Sequence, residues 1–255
     1  MAKNRAKSAE VQPEKQEEGV VAAVVNQKGG VGKTTTVTNL AAIFAAEGNR
    51  VIVVDADGQA TATRWAGQAE DAPPFQVVNL YNNPQIGREI LRFKSEYDIV
   101  FVDCPGNLDR KITPAVIAVA DLVVIPMRAS GFDLWASEKP LEAVQEARIT
   151  RPSLRYAVLL THANPRTRMH ADMEEFLRES DAPLFNTQIQ HRTVYEVIGT
   201  AGRTVMSATG IRGAPPARRE MMAAAEEIVE LLQGTHPSQQ NTEQAANRVE
   251  EGAGQ

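Results

Sequence analysis

Between residues 20 and 233, short apolar runs alternate with segments whose apolar residues recur every three or four positions. The runs at 20–25, 51–54 and 99–103 are nearly continuous, as expected for strands that are buried on both faces. The segment after the first run is typical of a helix, because its apolar residues fall at i, i+3, i+4, i+7 and i+8: Val37, Leu40, Ala41, Phe44 and Ala45. This alternation predicts an α/β fold with a doubly wound, mostly parallel central sheet flanked by helices.

Glycine and proline mark the ends of two predicted helices. Gly48 follows the first helix, at a position where a residue that tolerates the left-handed conformation commonly ends a helix. The last predicted helix runs from about 215 to 233, and Pro215 and Pro216 suit its first turn. We expect this helix to pack on the core through one apolar face formed by Met221, Ala225, Ile228, Val229 and Leu232.

The two ends of the chain depart from this pattern. Residues 1–19 contain four Lys or Arg and four Glu but almost no apolar residue to bury, which predicts a disordered polar tail. Residues 234–255 are similarly poor in apolar residues, so we predict a second disordered tail and a single domain over 20–233. Neither end resembles a secretory signal or a basic amphipathic membrane helix, and we therefore expect a cytoplasmic protein with no membrane attachment.

The composition agrees with one globular domain. The 255 residues are 43% hydrophobic, which is enough for a substantial core. The single cysteine, Cys104, cannot form an internal disulfide and fits a reducing compartment. We expect Cys104 to be a small buried residue.

A glycine-rich loop separates the first predicted strand from the first predicted helix. Its sequence is Lys28, Gly29, Gly30, Val31, Gly32, Lys33, Thr34 and Thr35. In a phosphate-binding loop, glycines let backbone N–H groups approach phosphate oxygens, a lysine reaches the β and γ phosphates, and a hydroxyl ligates Mg²⁺. The helix N-terminus adds unpaired N–H groups and a partial positive charge at the same place. The order of strand, loop and helix therefore predicts a nucleotide site in which Lys33 and Thr34 take these roles, with Lys28 as an additional lysine.

This loop resembles the deviant Walker A box, KGGxGK[ST]T, of the ParA/MinD superfamily of P-loop ATPases. The resemblance continues through residues 55–59, which are similar to the DxDPQ switch of that superfamily, and through residues 99–106, which are similar to its Walker B strand and turn. Residues 121–126 and 159–165 fit later strands of the same core, so the resemblance spans about 20–233. Within the superfamily, the chain looks most similar to the short ParF-like plasmid partition ATPases.

The resemblance implies roles for three aspartates that each follow or end a predicted strand. Asp57 would orient or activate the water that attacks the γ phosphate of ATP. Asp55 and Asp103 would support the Mg²⁺ shell, with Thr34 as a direct ligand. Gly58 departs from the pattern, because it stands where the superfamily has proline and leaves the backbone after Asp57 less restricted. We expect slow ATP hydrolysis.

Two further residues are implied to contact the nucleotide. Lys28 would cross a two-fold interface to the phosphates bound by the partner subunit, which predicts a homodimer that forms only with ATP. Asn164 resembles an adenine-contacting residue, since an amide suits the donor and acceptor edge of adenine. An Asx turn before Pro165 is the alternative explanation for Asn164.

Charge is distributed unevenly along the chain. The whole sequence has a formal net charge of −5, yet residues 148–219 contain eleven arginines, no lysine and six acidic residues. Arginines that share one face can bind duplex DNA without sequence preference, whereas scattered solvated arginines would not. The resemblance suggests the candidates Arg192, Arg203, Arg212, Arg218 and Arg219, although Tyr195 stands where chromosomal relatives have a DNA-binding arginine.

Together these features predict a partition ATPase of the ParA type. ATP would close the dimer, and the dimer would bind nonspecific double-stranded DNA on the nucleoid. A ParB-like centromere-binding protein or another cargo adaptor would then stimulate hydrolysis and release. Plasmid segregation is the first interpretation, and positioning of a protein cargo such as carboxysomes or chemoreceptor arrays is the second. A small-molecule enzyme of the dethiobiotin synthetase type and a DNA-binding scaffold with negligible turnover also remain open.

Overall fold

The computed structural model describes residues 18–106, 111–128, 133–180 and 182–237, apart from the side chains of 133–138. The strands are β1 (Val20–Val24), β2 (Val51–Asp55), β3 (Gln76–Asn79), β4 (Ile99–Asp103), β5 (Leu122–Arg128), β6 (Arg155–Ala163) and β7 (Ile189–Gln190). The helices are α1 (Lys33–Ala46), α2 (Thr61–Gln68), α3 (Ile86–Glu96), α4 (Ile112–Ile117), α5 (Asp133–Thr150), α6 (Arg168–Glu179), α7 (Thr193–Thr200) and α8 (Ala214–Gln233). None of these helices combines the length and the apolar character that crossing a membrane requires. The predicted tails fall largely outside the described residues, at 1–17 and 238–255.

The strands form one parallel sheet in the order β3-β2-β4-β1-β5-β6-β7. This arrangement confirms the predicted doubly wound α/β fold. β1 lies between β4 and β5, and the chain adds later strands on both sides of it. The loop after β1 therefore opens at the topological switch point, which is where sheets of this kind bind ligands.

Side chains of the sheet alternate between two cores on its opposite faces. In β4, Phe101 faces one core, whereas Val100 and Val102 face the other. Residues of α1, α2, α7 and α8 cover the first core, and residues of α3, α4, α5 and α6 cover the second. Burial on both faces explains why the strand sequences are nearly continuous apolar runs. Cys104 is buried in the second core, as predicted.

Helix α1 is buried on more than its predicted face. Four of the five predicted residues are buried and Ala45 is half-buried, but Ala42 and Ile43 are buried as well. The reason is that α1 packs against α8 in addition to the sheet. The helix ends before Gly48, which has a φ of 93° as the predicted left-handed residue.

Helix α8 has Pro215 and Pro216 in its first turn, as predicted. Its buried apolar residues are Ala214, Ala217, Met221, Ala224, Ala225, Ile228 and Leu231. Val229 is 38% exposed, so its predicted place on the packing face is wrong. With 3.6 residues per turn, Val229 lies about 100° around the helix from Ile228. The buried face extends from Ile228 in the opposite direction, to Glu227.

The packed structure continues beyond Gln233, where the sequence predicts the domain to end. His236 is fully buried, and its Nε2 lies 2.8 Å from Oε2 of Glu227. The same Glu227 carboxylate accepts hydrogen bonds from the backbone N–H groups of Asn186 at 2.6 Å and Thr187 at 2.7 Å. The residues after α8 are thereby joined to the segment that leads into β7.

Candidate functional site

The loop after β1, the turn after β2 and the turn after β4 enclose one cavity of about 590 Å³. Its wall brings together Lys33, Thr34, Asp57 and Gly106, which are far apart in the sequence. They meet because the carboxyl ends of neighbouring parallel strands share one edge of the sheet. The glycine-rich loop contributes most of its predicted nucleotide-binding residues to this wall: Gly29, Gly30, Gly32, Lys33, Thr34 and Thr35.

Hydrogen bonds to neighbouring strands hold the glycine-rich loop. The Asn26 amide donates to a backbone carbonyl of β5 at 2.7 Å, and its carbonyl oxygen accepts from the Lys28 N–H at 2.8 Å. On the other side, the Thr161 hydroxyl of β6 donates to the carbonyl of Val31 at 2.8 Å. Gly32 precedes α1 with a φ of 89°, a left-handed conformation that glycine adopts without steric cost. The loop is thus fixed around the start of α1.

Lys33 is held inside this loop. The residue is only 7% exposed, and its Nζ donates to the backbone carbonyl of Lys28 at 3.0 Å. Burial lowers the pKa of Lys33, although the negative charges of Asp103 and Asp57 act in the opposite direction. A buried ammonium group bonded to a neutral carbonyl can exchange that partner for a phosphate oxygen, which forms a stronger charge-assisted bond. The predicted reach of the Lys28 side chain to a partner subunit stays a prediction.

Thr34 and Asp103 form a polar pair that fits Mg²⁺. The Thr34 hydroxyl donates to Oδ2 of Asp103 at 2.6 Å, and Oδ1 of Asp103 is buried with no hydrogen-bond partner among the described residues. Burial raises the pKa of Asp103 to about 7, the negative charge of Asp55 adds to this effect, and the Thr34 hydrogen bond opposes it. An unpaired carboxylate oxygen beside a hydroxyl is an oxygen donor set of the kind that Mg²⁺ binds.

Asp55 is committed to protein hydrogen bonds. Its Oδ2 accepts from the backbone N–H of Thr63 at 2.8 Å and from the Thr63 hydroxyl at 2.7 Å, while Oδ1 accepts from the Asp57 N–H at 3.2 Å. These bonds tie the end of β2 to the start of α2, and the implied role of Asp55 at the metal stays a prediction. No cluster of three or more His, Cys, Asp or Glu suited to a metal occurs among the described residues. Mg²⁺ at nucleotide sites commonly takes one or two carboxylates and completes its shell with phosphate oxygens and water.

Asp57 connects the two turns that flank the cavity. Its Oδ1 accepts a hydrogen bond from the Gln59 N–H at 2.9 Å, and its Oδ2 accepts one from the Gly106 N–H at 3.3 Å. A Cβ atom at position 106 would lie at ordinary contact distance, 3.5 Å, from Nζ of Lys33, so the turn after β4 lies directly beside the loop. Asp57 and Lys33 therefore belong to one wall, which is the arrangement that a water-orienting carboxylate requires.

His162, near the end of β6, has features that sequence patterns do not reveal. Its φ is 49°, which is uncommon for a residue other than glycine, and its ring centroid lies 5.6 Å from that of His191. Burial lowers the pKa of His162, with the charge of Arg128 adding to the effect, and the buried Nδ1 has no hydrogen-bond partner in the described part of the chain. Nearby, Asn164 is exposed and its Oδ1 accepts from the Arg166 N–H at 3.3 Å, as in the alternative Asx turn. An adenine contact by Asn164 stays a prediction.

The five arginines proposed for DNA lie in two different settings. Three are held by intramolecular bonds: Arg192, Arg203 and Arg218. Arg192 forms an ion pair with Glu220, and Arg218 donates to two backbone carbonyls, at 3.0 and 3.2 Å. Arg203 donates to the carbonyl of Ser207. By contrast, Arg212 and Arg219 are exposed and have no side-chain partner among the described residues.

Residues 22–237 match the family described as the CobQ/CobB/MinD/ParA nucleotide binding domain. The chain belongs to this family. It is 35% identical, over 217 residues, to the maintenance of carboxysome distribution protein A of Halothiobacillus neapolitanus, and the match covers 85% of this chain and 96% of that protein. It is 33% identical, over 187 residues, to the chromosome-partitioning ATPase Soj of Thermus thermophilus, covering 61% of this chain and 74% of Soj.

Among solved structures, one of cobyrinic acid a,c-diamide synthase from Mycobacterium smegmatis with a bound ATP analogue and magnesium has a TM-score of 0.66 to this fold. The two chains are 20% identical, and the match covers 83% of this chain and 94% of the synthase. Family membership confirms the ParA/MinD resemblance, and the structural likeness confirms the P-loop NTPase fold. The synthase holds its ATP analogue and magnesium on this same fold.

Proposed function

We propose that this chain is a ParA-type ATPase that forms a dimer with ATP, binds DNA as that dimer, and positions a cargo. The observation that carries the proposal is one cavity lined by Lys33, Thr34 and Asp57, behind which the buried Asp103 accepts the Thr34 hydroxyl. A lysine and a hydroxyl suit the phosphates and the metal, and a nearby carboxylate suits the attacking water. The identity to the ATPase Soj supports the same activity.

Binding and hydrolysis would use different residues of the cavity. Lys33 would exchange the carbonyl of Lys28 for phosphate oxygens. Thr34 and Asp103 would hold Mg²⁺, which supplies charge neutralisation on the phosphates. Asp57 would accept a hydrogen bond from water in line with the γ phosphate. No arginine is among the described residues of the cavity wall, which fits slow hydrolysis that a partner protein accelerates.

Dimer formation is the step that tests this proposal most directly. Lys28 immediately precedes the glycines of the loop, and the lysine at this position of the resembled box crosses the two-fold interface, so its side chain is the group we assign to the partner's phosphates. Light scattering should show a monomer with ADP and a dimer with a nonhydrolysable ATP analogue. Lys28→Ala should bind the analogue yet stay monomeric, whereas Lys139→Ala, an exposed lysine of α5, should dimerise normally. A monomer under all conditions would refute the dimer switch.

DNA binding is assigned chiefly to the two unpaired arginines, Arg212 and Arg219. Arg192→Glu or Arg218→Glu would break intramolecular bonds, so weaker DNA binding by these variants would not distinguish lost DNA contacts from lost structure. We therefore expect Arg212→Glu with Arg219→Glu to weaken retention on unrelated duplexes alike and to reduce its salt dependence. Arg88→Glu on α3 with Lys139→Glu on α5 is the charge-matched control on the other face of the sheet, since both residues are exposed. Equal loss in both double variants would show a general charge effect and contradict a local DNA surface.

The relatives support two candidates for the cargo. The 35% identity to a carboxysome distribution protein favours a protein cargo, with an adaptor in place of a centromere-binding protein. The identity to Soj keeps DNA segregation with a ParB-like partner as the second candidate. Deletion of the gene followed by imaging of carboxysome spacing and by measurement of replicon retention separates the two. Unchanged spacing with replicon loss would favour segregation, and the reverse would favour a protein cargo.

A further inference from the structure

Gly58, which stands in place of the proline of the resembled switch, is packed against Tyr81. A Cβ atom at position 58 would lie 2.7 Å from Cζ of Tyr81, 2.9 Å from Cε2 and 3.0 Å from the hydroxyl oxygen. These distances are shorter than carbon and oxygen atoms tolerate. The φ of Gly58 is not in the left-handed region, so glycine here leaves room for the ring rather than relieving backbone strain. A side chain at 58 would require the ring of Tyr81 to move from its position in this structure.

The backbone of Tyr81 is anchored to the strand end that carries Asp57. The Tyr81 N–H donates to Oδ1 of Asn79 at 3.1 Å, and Nδ2 of Asn79 donates to the Thr63 hydroxyl at 3.3 Å. That hydroxyl in turn donates to Asp55 at 2.7 Å. A chain of hydrogen bonds thus runs from the loop after β3, through the start of α2, to the end of β2.

The ring of Tyr81 lies at the edge of the nucleotide cavity. Tyr81 is 43% exposed and lines the same cavity as Lys33 and Asp57. Its contact is with Gly58, the residue directly after the carboxylate that we assign to the attacking water. The bond from the Gly106 N–H to Asp57 is long, at 3.3 Å, and a bond of this length leaves the position of the turn sensitive to packing.

We propose that Tyr81 is a positioning residue for hydrolysis: its ring supports the turn at 57–59 and keeps the Asp57 carboxylate beside Gly106. The inference rests on the proposed ATPase function. The aromatic ring, and not the hydroxyl, provides the support, because two of the three short approaches to position 58 are made by ring carbons. Glycine at 58 leaves room for this ring. The ring restricts the turn at 57–59 by contact, whereas a proline at 58 would restrict it through its fixed φ.

The first experiment compares Tyr81→Ala and Tyr81→Phe in steady-state ATP hydrolysis. We expect Tyr81→Ala to lower kcat about tenfold with KM changed less than about twofold, because a displaced carboxylate impairs the chemical step more than nucleotide binding. Tyr81→Phe should retain kcat within about twofold. Wild-type kcat in Tyr81→Ala would overturn the inference, and so would an equal loss in Tyr81→Phe, which would assign the effect to the hydroxyl.

The second experiment measures whether positions 58 and 81 are coupled, and it needs no hydrolysis. Gly58→Ala should lower Tm by about 3 °C in the wild-type background, but have little effect or raise Tm when combined with Tyr81→Ala, which removes the ring. Gly67→Ala in α2 is the control, because nothing lies within 4 Å of the position its Cβ would take. Its effect should be the same in both backgrounds. Equal effects of Gly58→Ala in both backgrounds would overturn the proposed contact.

The two experiments separate this inference from the proposed function. If the wild-type protein hydrolyses no ATP with or without DNA, the proposed function fails, and a positioning role in hydrolysis fails with it even when the Tm coupling is present. If the wild type hydrolyses ATP and Tyr81→Ala does so equally well, the function stands and the inference alone fails. Coupled Tm values together with a selective loss of kcat in Tyr81→Ala support both.

Discussion

Asp103→Asn should stabilise the protein at pH 8 in the absence of nucleotide and Mg²⁺, even though it removes a residue of the proposed metal site. Asp103 is 1% exposed, Oδ1 has no partner among the described residues, and burial raises its pKa to about 7 from an ordinary value of 3.8. The folded state therefore binds a proton more tightly than the unfolded state. Stability falls as pH rises from about 4 through 7, and it stays low above that range.

The magnitude follows from the two pKa values. At pH 8 the raised pKa of Asp103 destabilises the fold by about 4 kcal/mol, and at pH 5, where the folded carboxyl is protonated, by about 2 kcal/mol. Asparagine carries no charge but leaves an amide donor unpaired, which costs about 1–3 kcal/mol at any pH. The stability of Asp103→Asn relative to wild type should therefore be higher at pH 8 than at pH 5 by about 2–3 kcal/mol, since the fixed cost of the amide cancels.

Urea unfolding in EDTA at the two pH values measures this difference. Asp55→Asn is the control, because all the hydrogen bonds of Asp55 require an acceptor; it should lose about 1–3 kcal/mol at both pH values. With Mg²⁺ and ATP present, Asp103→Asn should lose its advantage. An Asp103→Asn protein that is destabilised at pH 8, or that changes equally at pH 5 and pH 8, would show that the Asp103 carboxylate is not an uncompensated buried charge.

Three further predictions concern the site and the packed end of the chain. Lys33→Ala should abolish binding of a fluorescent ATP analogue while leaving Tm within about 3 °C, because Nζ makes a single hydrogen bond to the described residues. Asp57→Ala should bind ATP normally but lower single-turnover hydrolysis at least about 100-fold and prolong the ATP dimer; unchanged hydrolysis would exclude Asp57 as the water-orienting group. His236→Ala should lower stability by about 2–4 kcal/mol, as emptying a buried site does, and a truncation after Gln233 should lose at least as much; no loss in either protein would contradict a domain that ends beyond α8.

The strands and α1 could be predicted because their signals are local. Runs such as 99–103 are buried on both faces, so they carry an unbroken apolar pattern that needs no knowledge of partners. The phosphate loop is equally local, since strand, glycines, lysine and helix are consecutive. The buried face of α8 was predicted less well, because Glu227 is drawn inward by backbone N–H groups of Asn186 and Thr187, and this contact rotates Val229 outward.

The roles of the surface arginines also could not be predicted from sequence, because their partners are distant along the chain. A count of charges along 148–219 gives no indication that Arg192 is paired with Glu220 or that Arg218 is bonded to backbone carbonyls. Only the folded chain separates these from Arg212 and Arg219, which remain available for a phosphate. A positive segment in the sequence therefore predicts a DNA surface only as far as its arginines lack acidic or carbonyl partners.

The role of Gly58 becomes clear only when the sequence pattern and the folded structure are considered together. As a sequence feature it is a missing proline, and a missing proline suggests a looser turn after Asp57. In the folded chain the same glycine leaves room for the ring of Tyr81, whose backbone is held through Asn79 and Thr63. The turn after Asp57 lacks the proline of the superfamily pattern, but the contact with Tyr81 restrains it instead. We therefore expect the rate of ATP hydrolysis to depend on the packing of Tyr81 against Gly58, a contact that the sequence at neither position indicates by itself.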